Sequence, residues 1–383
     1  MDRRMKMVFA SDSFKGSLSG REAGELLEKA ARQVFGEIEA VKITAADGGE
    51  GTVEALLETC GGEKTEVLVH DARMRPVSAS YGMFGQKYAV IEMAEASGLP
   101  QLPDGLRNPL KATSYGTGEL LRDALEKGFS RIVVGLGGSA TNDGGMGAMR
   151  ALGARFLDGT GAELEGCGQD LEQVQKIDLS GLHPRLRKAE ITVMCDVDNP
   201  LCGAEGATHT FGAQKGGTPE MLETLEAGML NYRRVLAKTF GKDPQEIRGG
   251  GAAGGLGAAL ALFCGGRIRP GVETVLDMLE FDRLLEGADL VVTGEGRTDG
   301  QTVHGKVMYG IGRRAKERKI PVIGLSGSLG EGAEELVKYG ICAMTATVNS
   351  PMPLEMVMAR AKELYFQGAL NMFRLVKVGM GLR

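Results

Sequence analysis

The chain has 383 residues, of which 43% are hydrophobic and 25% charged, with a net charge of −5. Those proportions suit a soluble globular protein of two domains, and the lack of any basic stretch excludes the clustered Lys/Arg footprint of a nucleic-acid binder. No apolar run approaches the ~20 residues that span a bilayer, and Met7-Val8-Phe9-Ala10 is too short for a signal-peptide core, so a cytoplasmic protein without a membrane partner is expected.

Apolar β-branched runs alternate with helix-period segments, the pattern of an α/β protein with parallel strands. A strand is predicted over 5–10, a helix over 19–35, a strand over 40–44 and a helix over 52–60. Three strand-like runs follow over 66–69, 77–84 and 88–92. Their connectors are too short for parallel crossovers, which predicts antiparallel hairpins. Helices over 115–127, 146–154 and 219–239 alternate with strands over 132–134 and 191–195. The strand–helix rhythm returns with strands over 290–293, 322–325 and 343–348 and helices over 303–316, 331–339 and 354–375. The two ends share this rhythm and the middle does not. The expected organisation is therefore a discontinuous domain from residues 1–65 and 285–383, with about five parallel strands, and an inserted mixed α/β domain over 66–284.

Glycine accounts for 59 residues, roughly twice the ~7% norm. It gathers with acids and hydroxyls in four places: 47–52 (DGGEGT), 135–145 (GLGGSATNDGG), 249–257 (GGGAAGGLG) and 293–300 (TGEGRTDG). Glycine lets backbone amides approach an anion closely, and a helix N-terminus adds partial positive charge. Such loops suit an enzyme that holds phosphates and a small polar substrate.

The 135–140 stretch loosely fits the dinucleotide turn G-x-G-x-x-A. However, Thr141-Asn142-Asp143 follow where small apolar contacts should open a helix, so phosphate or substrate contact through Ser139, Thr141, Asn142 and Asp143 is the better reading. The 300–306 stretch has the spacing G-x-x-x-x-G-K. Val307 stands where a P-loop needs Ser or Thr for magnesium, leaving Lys306 as a candidate phosphate-facing cation. The 249–257 run serves packing or backbone N–H contact with equal plausibility. Acids recur in these loops: Asp12, Asp47, Glu50, Asp143, Asp196, Glu295 and Asp299. Acids beyond the C-terminal ends of parallel strands sit where α/β enzymes bind ligands. Magnesium takes one or two carboxylates beside substrate phosphates. Phosphoryl transfer further needs a base and cations, and Lys15, Lys215, Arg297 and Lys306 are the candidate cations. The six cysteines include no CxxC pair and the four histidines no HExxH, so buried reduced thiols are expected rather than a zinc site.

The motifs together resemble the bacterial glycerate kinase family. They are 12–19 (DSFKGSLS), 46–52 (ADGGEGT), 135–143 (GLGGSATND), 195–201 (CDVDNPL), Gln214-Lys215-Gly216, 251–257 (GAAGGLG) and Thr293 to Arg297, extended by Asp299, Gln301, Thr302, Gly305 and Lys306. They run in the family's order over nearly the whole chain. Two departures are Ala213 before Gln214, where the family usually has Gly-Pro before Gln-Lys-Gly, and Val307-Met308 after Lys306, where a proline often follows.

The resemblance implies ATP-dependent phosphorylation of D-glycerate to 2-phosphoglycerate with ATP and Mg2+. It also implies a flavodoxin-like domain and a restriction-endonuclease-like one, and the active site is expected in the inter-domain cleft. Asp196, Lys15 and Asp299 are the catalytic candidates, with Asp196 and Asp299 also for the metal. Ser13, Asp47, Glu50, Arg297 and Glu295 are the candidates for substrate. Gly137, Gly138, Ser139, Thr141, Asn142, Asp143, Lys215 and Lys306 are those for nucleotide or phosphate. The competing readings are a kinase making 3-phosphoglycerate, a nucleotide-dependent oxidoreductase of a small hydroxy acid, and a non-catalytic binder. Oligomeric state is not legible.

Overall fold

The computed structural model describes residues 3–85, 87–303 and 305–381. The chain divides into two compact units, one from residues 1–47, 54–61 and 271–383, the other from residues 48–53 and 62–270.

The first unit is built on a five-stranded sheet in the order Ile341–Ala346, Val322–Ser326, Leu290–Gly294, Met5–Ser11, Ile38–Thr44. Every pairing is parallel. The central strand Leu290–Gly294 is buried throughout, as a parallel strand covered on both faces must be. Numbered along the chain, the strands run 2-1-3-4-5, the flavodoxin-like order. Its topological switch point lies between Met5–Ser11 and Leu290–Gly294.

Helix Gly20–Phe35 opens on a capping box. The Ser19 hydroxyl accepts from the Glu22 amide, and the Glu22 carboxylate from the Ser19 amide. It buries Ala23, Leu27, Ala30 and Ala31 in a core shared with Phe9, Val292, Leu325 and Phe373. The sequence predicted one terminal helix, but there are two, Leu354–Ala359 and Ala361–Gly381. Likewise the segment expected as a helix over 331–339 is a 3-10 helix, Ala333–Tyr339. Helix Val307–Glu317 starts later than predicted because Thr302 and Lys306 belong to the loop before it.

The second unit holds a six-stranded sheet in the order Arg267–Arg269, Glu190–Met194, Arg131–Gly135, Tyr88–Glu92, Pro76–Phe84, Glu63–His70. The first four strands are parallel. The last two form the antiparallel hairpins that their short connectors demanded. Helices Tyr115–Glu126, Met146–Ala151 and Pro219–Phe240 pack with it. Helix Leu256–Cys264 was not anticipated; it follows directly on the glycine-rich run 249–255. No helix of the described residues is long and apolar enough to cross a membrane. The cysteines are free, but Cys60 and Cys342 are exposed rather than buried.

Candidate active site

Two loop clusters concentrate the chemistry, one in each unit. In the first unit, Asp12 and Glu295 directly follow the two strands that flank the switch point. The Asp12 amide donates to the Gly294 carbonyl at 3.0 Å, so the carboxyl-bearing residues leave the sheet side by side. Gly294 is required there, since a Cβ would sit 2.0 Å from the Leu325 carbonyl oxygen.

Asp47, in the loop after Ile38–Thr44, joins them. Burial first, then the Asp47 charge, and less strongly Glu295, push the Asp12 carboxyl up to about 7. The Ser13 amide opposes the shift, donating to Asp12 Oδ1 at 2.6 Å. Glu295 is buried and accepts from the Thr298 and Thr302 hydroxyls at 3.0 and 2.8 Å. Burial raises its pKa, while Thr302, the Lys306 charge and Thr298 hold it back.

These acids line a cavity of about 790 Å³ whose lining includes Ser13, Lys15, Arg297 and Lys306. Lys15 is exposed, in a turn where the Phe14 amide donates to the Leu18 carbonyl at 2.8 Å. The Phe14 ring anchors that turn edge-on against Tyr365 at 5.1 Å. Arg297 pairs with Asp299 at 3.2 Å, and Asp299 also accepts from the Gln301 amide at 3.0 Å. Lys306 stands at the N-cap of Val307–Glu317.

In the second unit, the 135–143 loop leaves strand Arg131–Gly135 with Gly137 and Gly138 exposed. It then turns Ser139, Thr141, Asn142 and Asp143 inward. Asp143 is wholly buried. It accepts from the Ser114 amide and hydroxyl, both at 2.7 Å, and from the Gly145 and Gly147 amides at 3.0 and 3.1 Å. Burial raises its pKa against those hydrogen bonds. Its carboxylate is thus committed to holding the loop rather than facing a phosphate. Asn142 is similarly buried and donates to the Thr208 hydroxyl at 3.0 Å.

Lys215 is buried beneath this loop, donating to the Thr141 carbonyl at 2.7 Å and to the Ser139 hydroxyl at 3.3 Å. Burial lowers its pKa to about 8, and the Asp143 charge opposes the shift. The 249–257 run packs against the same loop. Gly254 has φ +68°, and a Cβ on it would lie 2.1 Å from the Thr141 carbonyl oxygen. The Gly144 amide donates to the Gly254 carbonyl at 2.9 Å. Packing is therefore the structural work of that run.

Helix Met146–Ala151 begins only after Gly145, so the glycine turn does not open directly into a helix N-terminus as a dinucleotide turn does. Glu50 and Asp196 are exposed, Asp196 lying just beyond strand Glu190–Met194. Among the described residues no group of three His, Cys, Asp or Glu side chains is arranged to hold a metal ion. The sequence named Asp12 but gave it no role, although its place after the first strand of a parallel sheet was a usable signal. Thr298 and Thr302 lie in the motifs of 293–306 but were given no role, and Ser114 carried no comparable signal, because its partner is set by the fold.

A family model described as the glycerate kinase family matches residues 7–377. A Bacillus subtilis (strain 168) protein named glycerate kinase is 43% identical over 375 residues, 98% of each chain. An Escherichia coli (strain K12) protein named glycerate 2-kinase is 42% identical over 377 residues, 98% of this chain and 99% of the other. A crystal structure from Salmonella typhimurium LT2, described provisionally as glycerate kinase 2, matches with a TM-score of 0.90 at 45% identity. It covers 99% of this chain and 100% of that one.

Proposed function

The chain belongs to the glycerate kinase family, and on that premise we propose that it transfers the γ-phosphoryl group of ATP to the 2-hydroxyl of D-glycerate, giving 2-phosphoglycerate. The observation that carries the chemical part is the Asp12 carboxyl, pushed to about 7 beside Asp47 and Glu295 in a cavity that Lys15, Arg297 and Lys306 also line. A base works best when its pKa lies near the operating pH. Asp12 takes the proton of the attacking hydroxyl. Burial, then the Asp47 charge, and less strongly Glu295, fixed by Thr298 and Thr302, keep the Asp12 pKa raised.

Lys15 with Ser13 receives the glycerate carboxylate. Lys306 and Arg297, the latter oriented by Asp299, balance charge on the phosphoryl oxygens. In the second unit the exposed Gly137 and Gly138 amides offer an anion cradle, which Lys215 and Asp143 hold in shape from beneath. Magnesium takes oxygen ligands, one or two of them carboxylates. The exposed Asp196 in the second unit and Asp299 in the first are each proposed as such a carboxylate. When bound, the ion neutralises phosphate charge.

The test is ADP release from Mg-ATP on adding D-glycerate, followed by NMR of the product. The 3-phospho isomer would reject the regiochemistry. NAD(P)-dependent oxidation of glycerate without ADP release would reject the kinase reading.

A further inference from the structure

The crevice of the first unit is far larger than its acid needs. A water occupies about 30 Å³ of liquid, so a three-carbon acid displaces on the order of 100 Å³. The cavity measures about 790 Å³, within the ~300–1,000 Å³ of sites for much larger ligands.

Its lining combines two chemistries. One is that of the carboxylates and cations described above. The other is an apolar arm of Val348, Met352, Leu354, Val357, Met358 and Leu364. Two of these stand at helix Leu354–Ala359 with much of their surface in water, Leu354 at 73% and Met358 at 37% exposure. Apolar groups gathered around a cavity mouth mark a place where a ligand covers them. An ionised hydroxy acid gains nothing from six aliphatic side chains, so the arm is not its site. Methionine thioethers, polarisable and unbranched, make favourable contacts with aromatic rings. The arm also adjoins the charged lining, since Met358 Cε comes within 3.2 Å of where a Cβ on Gly16, next to Lys15, would lie.

We propose that the apolar arm of this crevice seats the purine base of the nucleoside triphosphate, with the phosphates directed to Arg297 and Lys306. This rests on the kinase reading above. It places the base in the first unit rather than at the 135–143 loop.

Photolabelling of the full chain with 8-azido-ADP and Mg2+, followed by peptide mass spectrometry, locates the base directly. Label within residues 347–365 is expected. Label confined to 135–145 or 207–218 overturns the proposal. Leu354→Asp and Met358→Asp should weaken ADP binding by roughly tenfold or more, the scale on which a hydrophobic pocket discriminates. They should leave pyrophosphate affinity and the KM for glycerate unchanged. Unchanged ADP affinity in variants that match the wild type in circular dichroism and Tm also overturns it. Wild-type protein that labels in the arm but releases no ADP with glycerate would leave the base site standing and sink the substrate reading. Glycerate turnover with an unlabelled arm would do the reverse.

Discussion

Asp12 and Glu295 stand side by side because their strands are in register: Ser11 pairs with Gly294, and each acid is the next residue. The parallel sheet thereby delivers two carboxyl groups to one point of the switch crevice, where Asp47 adds a third. Like charges so close, partly out of water, cannot all ionise freely. Asp12 yields, at about 7.

Asp12→Asn should therefore lower kcat by about 10²–10⁴-fold, the usual contribution of a general base. Wild-type kcat/KM should rise as pH increases through about 7, when Asp12 loses its proton, and the variant should lack that limb. Stability gives an independent sign. A carboxyl raised from 3.8 to about 7 on folding holds an extra proton in the native state between those values, so its contribution falls as pH rises through that window. The Asn variant should gain Tm relative to wild type at pH 8, and the gain should vanish near pH 4. A pH–rate profile unaltered by the substitution would remove Asp12 from the chemistry.

Asp143 and Asp196, both acids of the family motifs, should separate cleanly. Asp143→Asn loses a carboxyl oxygen from a group that accepts from four donors in the interior and should cost about 2 kcal/mol or more of stability. Asp196→Asn changes an exposed side chain. It should leave the thermal midpoint near wild type while activity collapses. Unfolding of the Asp196 variant, with normal specific activity in its folded fraction, would make that residue structural.

Their contrast also shows what was legible in the sequence. Periodicity and connector length gave the helix at Thr52–Cys60, the strand at Tyr88–Glu92 and the antiparallel hairpins, because those depend on local spacing. The direction in which a polar cluster faces is not local. Ser139, Thr141, Asn142 and Asp143 read as ligand-facing, yet they turn inward toward Ser114, Thr208 and Lys215, partners that only the tertiary fold brings near. The role of Asp12 was missed likewise, since its character comes from burial and from the Asp47 and Glu295 charges, which the fold brings in from loops after other strands.

Lys215 should show itself through alkaline pH. Its pKa falls from 10.5 to about 8 on folding, so between those values the unfolded chain binds the additional proton and stability from this group rises with pH. Lys215→Met should flatten that rise. It should also reduce kcat/KM, because the Thr141 carbonyl and Ser139 hydroxyl lose the ammonium that fixes the loop. A variant with wild-type pH dependence of Tm between pH 8 and 10 would refute the buried, neutralisable lysine.

Lys15 offers a test free of folding effects. It is exposed, and its turn is held without it, by the Phe14–Leu18 and Ser17–Phe14 backbone hydrogen bonds and by the Phe14 ring on Tyr365. Lys15→Ala should therefore leave Tm unchanged. As the cation for the glycerate carboxylate, it should nevertheless cost about 10²-fold in kcat/KM, ~2.7 kcal/mol of transition-state stabilisation. Lys15→Arg keeps the charge but not the compact ammonium, so part of the loss should be recovered. The loss should fall on glycerate rather than on ATP, visible as a raised KM for the acid. A near-normal rate in Lys15→Ala at wild-type Tm would make Lys15 a solvated surface lysine and return the carboxylate to Arg297 or Lys306.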